Sequence, residues 1–307
     1  MPLDRGAQRL LRMLASAGAA GPRTPEGRRR ALQTLAELAE ATPDGTVETR
    51  DFDIPGPGGP IGMRLYSPGG RTGAGASPVI LYLHGGGWVA GGLDTHDGVC
   101  RRLTLGSGAA VLAADYRLAP EHPFPAAYED ALAAARWIAA EGAAQGLDTA
   151  RLVVAGDSAG GGLAAAVAQS PQAPPIALQA LICPILNLAE DSVSRREFAD
   201  GYFLDAAALA ADLADYAGPA PDLGDPRLSP GLVPRLAGPP ALIHTAAYDP
   251  FRDEGEAYAR RLAEAGIAVR QTRHAGMIHY FYALPRPIPY AAEALAAIGA
   301  EIAQTLA

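Results

Sequence analysis

Ser158 stands in Gly156-Asp157-Ser158-Ala159-Gly160, a G-x-S-x-G pattern, and this is where the chain's chemistry would begin. The apolar run Arg151-Leu152-Val153-Val154-Ala155 precedes it, and a small-residue run from Gly161 to Ala168 follows. That order reads as strand, sharp turn, helix. A serine in such a turn sits in a strained backbone geometry that glycine neighbours permit. Its hydroxyl is then presented at the carboxyl end of a sheet, where it can attack a carbonyl carbon. The plainer alternative is an ordinary strand-to-helix turn with Ser158 near an N-cap.

A nucleophile needs a stabilised oxyanion, a base and a group to orient the base. His84-Gly85-Gly86-Gly87-Trp88 follows an apolar run ending at Leu83. Three consecutive glycines let the backbone turn its N–H groups into a cavity, where they can hold an oxyanion. His84 reads as a hydrogen bonder that stabilises this loop. Asp249 follows the run Ala241 to Tyr248, and a carboxylate at a strand's carboxyl end can orient an imidazole. Asp253 opens the next helix and reads as an N-cap. Of six histidines, His244 falls mid-strand as a core residue, and His96 and His122 fall in early loops. His274 ends the strand Val269 to Arg273, and His279 lies in a loop beyond it; spacing alone does not choose between them. Both fit the chain order nucleophile, acid, histidine.

Positioning these groups requires a sheet. Near-continuous apolar runs at Pro78–Leu83, Ala109–Ala114, Leu152–Ala155, Ile176–Ile182 and Ala241–Thr245 suit strands covered on both faces. Helical stretches at 97–106, 126–141, 159–169, 253–265 and 290–305 alternate with them, which predicts βαβ units and a mostly parallel, doubly wound sheet. The more polar segment Val269–Arg273 is expected near the sheet edge. Upstream, Val47–Ile54 and Ile61–Leu65 flank the cluster Pro55 to Pro60, which predicts an antiparallel pair. Residues 3–41 read as two helices, the second capped by Thr24-Pro25, with a turn at Thr42-Pro43-Asp44-Gly45. The interval 187–238 breaks the alternation. It is an insertion carrying a helix over Phe203–Tyr216, and with the N-terminal helices it could form a lid over the carboxyl edge.

At 307 residues and 49% hydrophobic, the chain can bury a large core. Its formal net charge of -8 argues against a nucleic-acid partner. All 25 basic residues are arginine, which excludes a lysine Schiff base or a Ser-Lys dyad. Cys100 and Cys183 lie far apart in unrelated contexts, so free buried thiols are expected, with no metal knuckle. No stretch approaches a membrane span or a signal core, and a cytoplasmic location is expected.

Together these motifs resemble the hormone-sensitive-lipase-like carboxylesterases of the α/β-hydrolase superfamily. The resemblance rests on His84 to Trp88, Gly156 to Gly161, Asp115-Tyr116-Arg117-Leu118-Ala119-Pro120-Glu121, Phe124 to Ala127, Asp249 to Gly255 and Gly276-Met277-Ile278-His279-Tyr280-Phe281. It runs from about residue 47 to the C-terminus, with the motifs in the family's order. It implies an α/β-hydrolase fold, with a mostly parallel eight-stranded sheet flanked by helices and a helical cap. The implied division is a cap segment over 1–45, core over 46–186, cap insertion over 187–220 and core over 221–307. It makes Ser158 the nucleophile, Asp249 the acid and His279, rather than His274, the base. Gly86, Gly87 and Ala159 would supply the oxyanion N–H groups, and Trp88 would line the substrate cleft. No metal or cofactor is implied. The expected substrate is a small carboxylic ester of short to medium chain. An amide or N-acetyl hydrolase on the same triad, or a non-catalytic small-molecule binder, are the alternatives. The family often pairs through a sheet edge or C-terminal helices, so a homodimer is compatible with it.

Overall fold

The computed structural model describes residues 1–16, 24–39, 46–69 and 75–307. The expected turn at 42–45 lies outside them. Eight strands form one sheet: β1 (Val47–Gly56), β2 (Gly59–Pro68), β3 (Ser77–Leu83), β4 (Ala110–Asp115), β5 (Leu147–Asp157), β6 (Leu178–Ile182), β7 (Ala241–Tyr248) and β8 (Val269–Ile278). Their order is β1-β2-β4-β3-β5-β6-β7-β8. β1 and β2 form an antiparallel pair, β2 joins β4 antiparallel, and every pairing from β4 onward is parallel.

The apolar runs explain the layering. Side chains of a strand alternate between faces, and in β3 Val79, Leu81 and Leu83 enter one core while Ile80 and Tyr82 enter the other. β4 and β5 divide in the same way. The first core is covered by α4 (Ala126–Glu141), α5 (Ser158–Gln169) and α8 (Arg252–Glu264). The second is covered by α3 (Asp97–Ser107) and α9 (Tyr290–Leu306), with α1 (Arg5–Ser16) against it. Both cysteines are free and buried.

The N-terminal region contributes α1 and α2 (Pro25–Ala39). Thr24 caps α2, its hydroxyl accepting from the Gly27 N–H at 3.2 Å. The 187–238 interval holds α6 (Val193–Glu197) and α7 (Ala206–Ala217). The α6 helix is not legible from periodicity, because five residues are little more than one turn. Ser192 and Asp205 cap the two helices through their side chains.

Two sequence expectations change. The last strand does not stop at Arg273 but continues to Ile278, with a register irregularity between Ala246 and Tyr248 of its partner. His274 therefore lies within β8, and His279 follows the strand directly. Asp253 is not an N-cap: it lies within the first turn of α8, and its carboxylate accepts the Ser194 N–H of α6 at 2.8 Å.

Candidate active site

β5 ends at Asp157, and Ser158 opens α5 with φ of +51°, a left-handed conformation that a residue with a Cβ adopts only under constraint. The constraint is the close approach of the turn to the end of β3. A side chain at Gly160 would collide with the carbonyl oxygens of Leu83 and His84. Ser158 is largely buried, and the Ile185 N–H donates to its carbonyl at 3.0 Å.

β7 and β8 bring the next two groups to the same edge. Ser158 Oγ lies 3.0 Å from His279 Nε2, and His279 Nδ1 lies 2.8 Å from Asp249 Oδ2. The carboxylate can only accept, so Nδ1 carries the proton and Nε2 is free to accept from the serine hydroxyl. Asp249 is fully buried, and its other oxygen accepts the Phe251 N–H at 2.8 Å. The Phe251 ring meets His279 edge-on at 5.3 Å. His274 is directed elsewhere. It bonds His244 at 3.2 Å and the Tyr290 hydroxyl at 2.9 Å, and burial lowers its pKa to about 4.

Cys183 Sγ, an Asp249 oxygen and a His279 nitrogen lie within 4.8 Å of one another, a grouping with donors for a soft cation. Burial and the Asp249 carboxylate push the Cys183 thiol well above its usual range, so it remains protonated. Within the group, the His279–Asp249 hydrogen bond is the one formed.

The glycine loop follows β3 directly. The Gly86 carbonyl accepts from the Val89 and Ala90 N–H groups, closing the loop as a turn. His84 braces it: Nδ1 bonds the Gly85 carbonyl at 2.9 Å, and the ring stacks on Tyr116 at 4.2 Å. Burial, and to a lesser degree His96, lower the His84 pKa to about 3, so its ring is neutral. Ala159 sits in the first turn of α5, where an N–H has no intrahelical acceptor.

Asp157 has a larger part in the geometry than the motif suggests. Its fully buried carboxylate accepts from Tyr82 Oη at 2.6 Å, the Gly85 N–H at 2.9 Å and Tyr282 Oη at 2.7 Å. His96 Nε2 lies 3.4 Å away. Burial alone would raise this carboxyl, but the facing His96 and the tyrosine hydroxyls outweigh it and bring it down to about 2. One anion therefore joins the serine turn, the glycine loop and the segment after His279. Its two tyrosine partners lie 75 and 125 residues away, so no local pattern announces them.

A cavity of about 270 Å³ is lined by Gly87, Trp88, Ile185, Leu209, Asp212 and Phe251 among others; no triad residue lines it, but Phe251 meets His279 and Ile185 bonds the Ser158 carbonyl. Trp88 is largely buried, stacked on Tyr216 of α7 at 4.5 Å. A larger surface concavity, about 1040 Å³, lies away from this edge between the β1–β2 turn and α4, and no triad residue lines it. From α2, Arg29 donates to the Val89 and Ala119 carbonyls and pairs with Glu121. Arg28 pairs with Asp212 and Asp215 of α7. In the insertion, Arg195 pairs with the buried Glu254 at 2.8 Å.

A family signature described as the alpha/beta hydrolase fold matches residues 80–283. The chain is 44% identical over 268 residues to the esterase LipI of Mycobacterium tuberculosis, covering 85% of this chain and 83% of that protein. It is 38% identical over 278 residues to an ethyl acetate hydrolase of Pseudomonas putida, covering 88% and 85%. The solved structure of an ester hydrolase from the metagenome of Lake Arreo, bound to a bipyridine phosphonate derivative, superposes with a TM-score of 0.93. That structure is 40% identical and covers 98% of both chains. Among the described residues no helix is long and apolar enough to cross a membrane.

Proposed function

Since the chain belongs to the α/β-hydrolase-fold family, as one of its hormone-sensitive-lipase-like carboxylesterases, we propose that it cleaves small esters through an acyl-enzyme on Ser158. The observation that carries this reading is the unbroken hydrogen-bond chain from Asp249 through His279 to Ser158. His279 Nε2 takes the hydroxyl proton as Ser158 Oγ attacks the ester carbonyl. Asp249 holds the Nδ1–H tautomer and stabilises the imidazolium. His279 then returns the proton to the departing alkoxide. Water attacks the acyl-enzyme with His279 again as base, releasing the acid and restoring Ser158.

The oxyanion is assigned to the N–H groups of Gly86, Gly87 and Ala159. A single such donor is typically worth about 3 kcal/mol at the transition state. Gly86 and Gly87 both adopt positive φ, which turns the loop sharply beside the serine. Asp157 acts as a positioning residue, holding the glycine loop through the Gly85 N–H.

The described helices of the 1–45 segment and the insertion 187–220 serve as the cap, and Trp88 forms part of the cleft wall. The cavity of about 270 Å³ favours short to medium acyl chains over long ones. A nitrophenyl ester series of increasing acyl length tests this. The reading expects kcat/KM to peak at short to medium length and Ser158→Ala to abolish turnover across the series. Activity retained by Ser158→Ala would refute the mechanism, and rising kcat/KM into long chains would refute the size limit.

A further inference from the structure

Within the cleft wall contributed by α7, the lining residues Ala206, Leu209, Ala210 and Leu213 are apolar, and Asp212 is the exception. Its side chain is only 17% exposed. The carboxylate comes so close to the glycine loop that any side chain at Gly87 would collide with it. A buried carboxylate needs a partner, and Asp212 has one in Arg28, but Arg28 is shared with Asp215. The three groups together leave an excess negative charge when both carboxylates are ionised. Asp205 of the same segment adds to the field.

We propose that Asp212 sets the charge selectivity of the cleft, so that esters bearing an anionic group toward the cap are refused while neutral or cationic ones are accepted. The surroundings support this. Arg195 lines the cleft but is committed to Glu254 and to the Asn187 carbonyl. Asp191, also on the wall, pairs with Arg196. Arg28 Nε is buried without a partner, yet Arg28 does not line the cavity and its charge is divided between two carboxylates. An arriving anion therefore meets a carboxylate before it meets an uncommitted cation. A group at this place is desolvated by the substrate itself, where a like charge is felt most strongly. Burial raises the Asp212 pKa to about 7 against the opposing effect of Arg28.

The assignment rests on the acyl-enzyme reading above. The experiment compares three nitrophenyl esters of matched acyl length: one neutral, one ending in a carboxylate and one ending in a quaternary ammonium. It is run at about pH 8, where the Asp212 carboxylate is ionised. The readout is the ratio of kcat/KM values within each protein, so a general loss of activity cancels. Wild type is expected to prefer the neutral over the anionic ester by about 10²-fold, as two like charges in a partly desolvated site imply. Asp212→Asn should narrow that ratio by about tenfold. A wild-type ratio near unity, or a large ratio that Asp212→Asn leaves unchanged, overturns the assignment. Should Asp212→Asn fail to fold, Asp215→Asn supplies the complementary arm: with Arg28 left to Asp212 alone the cluster loses its excess negative charge, so the ratio should narrow, and an unchanged or wider ratio contradicts it. The ammonium ester, read on wild type alone, should exceed the anionic ester; equality contradicts the proposal. Turnover of the neutral ester by wild type but not by Ser158→Ala establishes the catalytic reading separately. No turnover of any of the three overturns both.

Discussion

Around Asp157 the parts of the site are joined by neutral donors, two tyrosine hydroxyls and a backbone N–H, on one buried carboxylate. Above Gly87 the joining is done by arginines: Arg28 on Asp212 and Asp215, Arg29 on Glu121, Arg195 on Glu254. The two arrangements suit different demands. The catalytic edge must hold a proton-transfer geometry of about 3 Å, and short hydrogen bonds from buried neutral donors to Asp157 do this with little side-chain freedom. The cap must admit and release a substrate. The ion pairs that hold it range from Arg195 on the buried Glu254 to the partly exposed Arg29–Glu121, and they also place charge where a substrate passes. On the function proposed above, the edge fixes which bond is attacked and the cap decides which molecule reaches it.

The largest effect expected at the edge is from His279→Ala, which should lower kcat by about 10⁴-fold or more. His274→Ala should keep kcat within about threefold, since His274 faces His244 and Tyr290 rather than the serine. The reverse outcome would relocate the base. His274 shows its presence in stability instead. Burial depresses both His244 and His274 below 6.5. An unfolded chain then takes up protons that the folded one refuses, so their contribution is complete above pH 6.5 and is lost as pH falls toward 4. Urea unfolding across that window should show wild type weakening with acid, and His274→Gln should weaken less steeply.

Asp157→Asn comes next. An amide must turn its NH₂ toward a group that already donates, so one buried donor loses its acceptor. Stability should fall by about 2 kcal/mol. Because the glycine loop shifts with it, kcat should fall by roughly 10²-fold with KM changed much less. A loss of stability with kcat of the folded protein intact would reduce Asp157 to a structural residue and blur the contrast drawn above. The smallest effect belongs to the cap. Arg29 is about one-third exposed at 32%, and Arg29→Ala should cost about 1 kcal/mol or less in chemical denaturation. Loss several times larger would show the cap to be held as firmly as the edge.

Most of the sheet was legible because strands buried on both faces are continuous apolar runs, and each of the runs from Val79 to Thr245 falls on a strand. The far end of β8 was not, because His274-Ala275-Gly276 carries no apolar run and Gly276, with φ of +77°, reads as a loop residue. The serine turn, the glycine loop and Asp249 were visible as local motifs. The choice between His274 and His279 needed the family resemblance, since spacing does not record which way an imidazole faces. Asp253 misled because a carboxylate at a helix start is ordinarily a cap, whereas here it receives an N–H from the inserted α6. Asp157 was in view, but its partners were not, being brought together by the sheet alone. Asp212 was hidden by its setting: in Ala206-Ala207-Ala208-Leu209-Ala210-Ala211-Asp212-Leu213 it reads as a solvent-facing residue of an ordinary helix.

The central claim is that Ser158 is the nucleophile activated by His279, and covalent trapping tests it most directly. Wild type, Ser158→Ala and His279→Ala would each be incubated with a nitrophenyl phosphonate, and the adduct located by mass spectrometry. The account predicts rapid labelling of wild type at Ser158 alone, none in Ser158→Ala, and labelling slowed by orders of magnitude in His279→Ala. An unlabelled wild type, or an adduct on another residue that persists in Ser158→Ala, would contradict it.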